Sequence, residues 1–222
     1  MGWTETRGLR TLCCIALALM LCVDSVFVGV SAIQSLQETQ KDRWHVSFEG
    51  GFAERWQYVK WAGIALMLGA TAIRRRSAVY LAWMTVFTYL FYDDSSQVHE
   101  RYGLWLAQSL EFKPAFGLNP ADFGEVIVTA VAATVLLASL AIAYGTSSQQ
   151  DARLFTRRML VLLAALAFFG VGVDLLDIAL PWKSLRLIGE LIEDGGEMVV
   201  ASVMAAFVLY NTFEVPGSLR SS

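Results

Sequence analysis

The sequence predicts an all-α protein, a polytopic membrane helix bundle of six transmembrane helices forming one integral membrane domain over residues 1–222. Composition is the first reason: the chain is 56% hydrophobic and 17% charged, whereas soluble domains carry about 25% charged residues. The apolar residues also come in long runs with short polar stretches between them, the pattern of repeated bilayer crossing. Finally, acidic and basic residues gather at opposite ends of those runs. A net charge of −3 and basic residues scattered at run ends form no basic stripe, so nucleic acid is not an expected partner. The lipid bilayer is.

The six spans fall at about 10–32, 57–74, 77–97, 122–145, 158–180 and 189–210. The first contains Cys13, Cys14 and Cys22, which make no C-x-x-C and read as packing residues. Arg7 and Arg10 before it, and Val30-Ser31-Ala32 within it, also fit a secretory signal; its length favours an uncleaved span. A first outer loop follows, with Trp44, Phe48, Phe52 and Trp56 at four-residue spacing, the stripe of an interfacial helix or an aromatic belt. The second and third spans form a tight hairpin about Arg74-Arg75-Arg76. Lys113-Pro114 and Asn119-Pro120 mark turns in the outer loop before the fourth span. The last two spans reach full length only by including their carboxylates. The clean apolar stretch after Arg158 ends at Val173, and the one before Tyr210 begins at Met198.

Orientation follows from Lys and Arg in short loops. With the N-terminus inside, Arg7, Arg10, Arg74, Arg75, Arg76, Arg153, Arg157, Arg158 and Arg220 are cytoplasmic, nine of the 17 basic residues. Only Glu5, Asp151 and Glu214 of the 20 acidic residues share that side. The expected location is a bacterial inner membrane, with both termini cytoplasmic.

The remaining acids define the candidate site. Helical rise puts Asp24, Asp93, Asp174, Asp194 and Glu197 at ~20–26 Å from the cytoplasmic boundary, in the outer third of a core ~30 Å thick. Asp93, Gln97 and Glu100 lie within about 60° on a helical wheel, and Glu190, Glu193, Asp194 and Glu197 within about 100°. Asp174 and Asp177, three apart, share a face. Such stripes belong inside a bundle, because lipid cannot solvate them. Acids so close require protonation, a basic partner or a bound cation. The nearby basic candidates are Arg55, Lys60, Arg101, Lys183 and Arg186. The candidate metal ligands are Asp93, Asp94, His99, Glu100, Asp174, Asp177, Glu193, Asp194 and Glu197, with Asp94, His99, Glu193 and Glu197 favoured. Their oxygens suit a divalent cation such as Mg²⁺, Ca²⁺ or Mn²⁺, and an imidazole admits Zn²⁺ or Fe²⁺. His45, in the first loop, is placed to fold over the layer.

Asp93-Asp94-Ser95-Ser96-Gln97-Val98-His99-Glu100-Arg101-Tyr102-Gly103 and Glu193-Asp194-Gly195-Gly196-Glu197-Met198 resemble a pattern found in uncharacterised bacterial polytopic membrane proteins: an acidic pair, four residues and His-Glu, then a late acidic pair with a further Glu. The resemblance implies a membrane bundle and no particular activity. The seven-span intramembrane hydrolases, alkaline ceramidases and adiponectin-type receptors, hold zinc with three His, and this chain has two. No Glu-x-x-His di-iron motif and no G-x-S-x-G elbow is present. The expected role is cation or proton handling, by transport or sensing. The alternatives are an intramembrane metal-dependent enzyme acting on a lipid-type substrate and a structural membrane subunit. The almost wholly apolar inner stretches Leu160 to Phe169 and Val199 to Val208 argue against an open path through the bundle.

Overall fold

A computed structural model describes residues 3–37, 40–114, 119–173 and 183–214. Among them the chain is all-helical: α1 (Trp3–Leu36), α2 (Phe52–Arg75), α3 (Ala78–Ser96), α4 (Val98–Ser109), α5 (Pro120–Thr146), α6 (Gln150–Ala167) and α7 (Lys183–Phe213). A π-helical segment, Phe168–Val173, continues α6. Among the described residues, three helices are long and apolar enough to cross a membrane: Arg7–Leu36, Pro120–Thr146 and Leu191–Phe213. The expectation of six is corrected to that extent. Helices α2, α3 and α6 fall short on hydropathy because they carry Lys60, several Trp and Tyr with Asp93 and Asp94, or three Arg, respectively.

α7 is the hub, packing on α1, α2, α6 and the π segment. α2 packs along α3, and α3 reaches α5. The core comprises Trp61, Ile64 and Leu68 from α2, Tyr80, Trp83 and Phe87 from α3, Phe155 and Met159 from α6, and Met204 and Val208 from α7. The outward faces of α1 and α5 expose Leu12, Ile15, Leu19, Val126, Val131 and Ile142. A surface so apolar is stable only against lipid or another protein.

Charge sorts the ends of the bundle. At the basic end, Arg76 adopts a left-handed conformation with φ 47°, and its neighbour Ser77 donates its N–H to the Ala72 carbonyl, closing α2. The Arg75 guanidinium donates to the carbonyls of Asn211 (2.7 Å) and Glu214 (3.0 Å), so it caps the negative end of α7. Gln149 donates to the Arg75 carbonyl, which brings the α5–α6 turn to the same end.

The acidic end adds one element to the sequence reading and decides between two readings of another. The region after α3 is not simply a loop: it contains α4, which starts one residue after α3 ends because Gln97 takes φ 51°. α4 lies tightly on α5, since a Cβ at Gly124 would come within 2.0 Å of the Gly103 carbonyl oxygen. Pro120 is the first residue of α5, inside an Asn119–Asp122 capping box, which starts the helix sharply. The aromatic residues of the first loop do not form an interfacial helix either. Residues 40–50 form turns, broken at Gly50 with φ 67°. Trp44 packs between Phe27 and Phe52, while Trp56 is part of α2.

Candidate functional site

The residues of the acidic end separate into distinct environments, and Asp24 stands apart from the rest. Asp24 and Lys60 are 1% and 3% exposed. The Lys60 ammonium donates to Asp24 Oδ1 (3.1 Å), to the Met198 carbonyl (2.9 Å) and to Ser202 Oγ (3.3 Å). The Asp24 carboxylate also accepts from Trp56 Nε1 (2.8 Å) and Ser202 Oγ (2.5 Å). All three ammonium donors therefore have acceptors, which is what a buried charge requires. Asp24 reads from sequence as part of one shared acidic layer; its charge is instead matched by Lys60 within a closed node of α1, α2 and α7.

Asp93 and Asp94 are adjacent and serve different neighbours, because successive side chains on a helix diverge by about 100°. Asp93 turns to α4. Its Oδ1 accepts the backbone N–H of His99 (3.0 Å), its Oδ2 lies 2.9 Å from His99 Nδ1, and Tyr89 donates to Oδ1 (3.3 Å). The acid and the histidine six positions on thus hold the α3–α4 turn closed. The bond to Asp93 holds the His99 imidazole above its ordinary range, with the Asp93 and Glu100 charges adding and burial opposing. Glu100, 3.9 Å from His99 Nε2, is pushed up mainly by burial.

Asp94 turns to α2, where Trp61 Nε1 donates to its Oδ2 (2.9 Å) and Tyr58 donates to its backbone carbonyl (3.1 Å). Across from it, Glu197 on α7 lies close enough to Asp94, Asp194 and Glu193 for direct charge repulsion. Glu197 rests on the π segment: a Cβ at Gly170 would lie 1.9 Å from its Oε1. Next to it, Gly196 lets the Phe169 ring approach to 2.2 Å of where a Cβ would be. Among the described residues neither Asp94 nor Glu197 has a cationic side chain in an ion pair, and Glu197 accepts no hydrogen bond. π-helical segments recur at functional sites because they displace one turn of side chains.

The first loop covers this group. His45, 1% exposed, lies 3.2 Å from Ser35 Oγ through Nε2, and its Nδ1 accepts the Ser47 N–H. Ser47 Oγ donates to Asp194 Oδ2 at 2.6 Å. His45 is a buried packing and hydrogen-bonding residue of the loop, and Ser47 makes the loop's contact to Asp194. Asp42 helps hold the loop, accepting from Gln34 on α1 and from the Trp44 N–H.

A family model for a domain of unknown function, DUF8692, matches residues 55–211, from the first turn of α2 to the end of α7. The chain belongs to that family. The DUF8692 match includes both segments of the acidic pattern, 93–103 and 193–198. No curated protein and no solved structure matches the chain.

Among the described residues of this DUF8692 protein, no group of three or more His, Cys, Asp or Glu side chains is arranged to hold a metal ion. Among the described residues, the favoured set of Asp94, His99, Glu193 and Glu197 is not brought together as one group. His99 is turned to Asp93 on the α4 side, while Asp94 and the α7 acids meet on the α2 side. Asp174 and Asp177 lie outside the described residues. The residues that sequence reasoning missed are Trp61, Tyr58, Ser47, Ser202 and Gly170. Lys60 was the strongest available signal, a cation within an apolar helix that requires an acid at its depth.

Proposed function

We propose that this chain is a six-span protein of a bacterial inner membrane, both termini cytoplasmic, whose outward acidic layer binds and releases protons. One observation carries the reading. Lys60, the buried cation nearest the layer, directs its donors to Asp24, Ser202 and the Met198 carbonyl, and Asp94 and Glu197 face one another with no ion pair among the described residues. Carboxylates in that position hold a proton, because burial and like charge both favour the neutral form. Supporting the span count, α2 packs on both α3 and α7, and α7 is itself long and apolar enough to cross. The packed core of Leu68, Trp83, Phe155, Met159 and Met204 lies between the acids and the basic end. That favours sensing of outside pH over passage of ions through the bundle.

Infrared titration in lipid nanodiscs tests this. Wild-type protein should show a protonated-carboxyl band that changes with pH and is lost in Glu197→Gln. A band absent at every pH, or unchanged in Glu197→Gln, would reject the reading. Mg²⁺, Ca²⁺, Mn²⁺ or Zn²⁺ that abolishes the band at constant pH would replace the proton with a divalent cation as the bound species.

A further inference from the structure

Beyond the acidic layer, the outer end of α3 and the start of α4 enclose a cleft of about 420 Å³ lined by Tyr92, Ser96, Val98, Arg101, Tyr102 and Trp105. We propose that this cleft seats the phosphodiester headgroup of an anionic membrane phospholipid, with Arg101 on the phosphate. The site rests on the membrane reading above and is separate from the proton-binding acids.

Three features converge on this occupant. The first is depth. α4 is fixed to α5 at Gly103 and Gly124, four residues into a helix long and apolar enough to cross a membrane, so the cleft is level with the mouth of that span. The second is the lining. Tyr92, Tyr102 and Trp105 are 59%, 59% and 62% exposed, and amphipathic rings are favoured at the headgroup level. Leu104 and Leu110 of the same stretch are exposed too, which gives α4 the apolar face of an interfacial helix. The third is charge. The Arg101 guanidinium makes no ion pair among the described residues, although this end of the molecule is rich in carboxylates. Its planar fork matches two phosphate oxygens, and flanking aromatic faces favour a guanidinium. A free inorganic anion would use the arginine and leave the aromatic walls and the apolar α4 face unused; a phospholipid uses all of them.

The test is native mass spectrometry of the full chain released from detergent containing phosphatidylglycerol. Arg101→Gln should reduce retained phosphatidylglycerol about tenfold, as for loss of one charged hydrogen-bonding group. Arg101→Lys should recover part of it, and Arg158→Gln at the basic end should leave it unchanged. Equal retention by wild type and Arg101→Gln overturns the site. Equal losses in Arg101→Gln and Arg158→Gln also overturn it, in favour of diffuse attraction. Displacement by glycerol phosphate at the same concentration as the lipid would overturn the lipid assignment. Resistance of wild-type protein to carbonate extraction from membranes reports the membrane reading independently, and the Glu197→Gln infrared result reports the proton reading.

Discussion

Asp24 and Lys60, 36 positions apart on α1 and α2, form an ion pair with both side chains 1% exposed, 3.1 Å between Oδ1 and Nζ. Removing one partner strands the other in the interior, at a cost of about 3–5 kcal/mol. Lys60→Met and Asp24→Leu should each lower the thermal midpoint sharply. The double variant should cost clearly less than the sum, with a coupling of about 1–3 kcal/mol. Thermal unfolding of the four proteins in detergent measures this, and additive losses would mean that the pair contributes nothing as a pair.

His99 and Asp93 give the α3–α4 turn a pH dependence of definite sign. The imidazole holds its proton more tightly when folded, chiefly through the bond to Asp93. Its contribution is therefore fully present below the unfolded value of 6.5 and lost as pH rises through the higher folded value. Local protection of the α4 amides in hydrogen exchange should fall between neutral and mildly alkaline pH. His99→Gln should flatten that change; a profile that rises with pH would contradict the assignment.

Gly196 and Gly170 should respond differently to alanine. At Gly196 the added methyl meets the Phe169 ring, which packing holds in place, so Gly196→Ala should destabilise by about 1–3 kcal/mol. At Gly170 it meets the far end of the Glu197 side chain, which can swing away. Gly170→Ala should therefore leave the thermal midpoint nearly unchanged while shifting the carboxyl titration. A larger midpoint loss for Gly170→Ala than for Gly196→Ala would reverse this assignment.

The Arg75 contacts to Asn211 and Glu214, and the Gln149 contact to Arg75, gather the α2–α3 turn, the α5–α6 turn and the α7 end on one side of the bundle. Reporter fusions after Ser77 and after Gln150 should both report cytoplasm. A periplasmic signal from either would overturn the orientation.

The sequence alone determined the helical class, the approximate helix centres and the separation of charge between two ends. Hydrophobic period and run length are local properties, and Arg74-Arg75-Arg76 and Asn119-Pro120 are local stop and start signals. Tertiary structure decided how the acids divide. Depth along a helix can be counted from sequence, but the direction of each side chain depends on neighbours hundreds of atoms away along the chain. Asp93 and Asp94 therefore look like one pair and serve two helices, and Asp24 looks like a member of the layer until Lys60 is found against it. Helix α4 was hidden for a related reason. Its stability comes from the close seat of Gly103 on Gly124, and a left-handed Gln97 permits its abrupt start, neither of which leaves a mark in the periodicity of the chain.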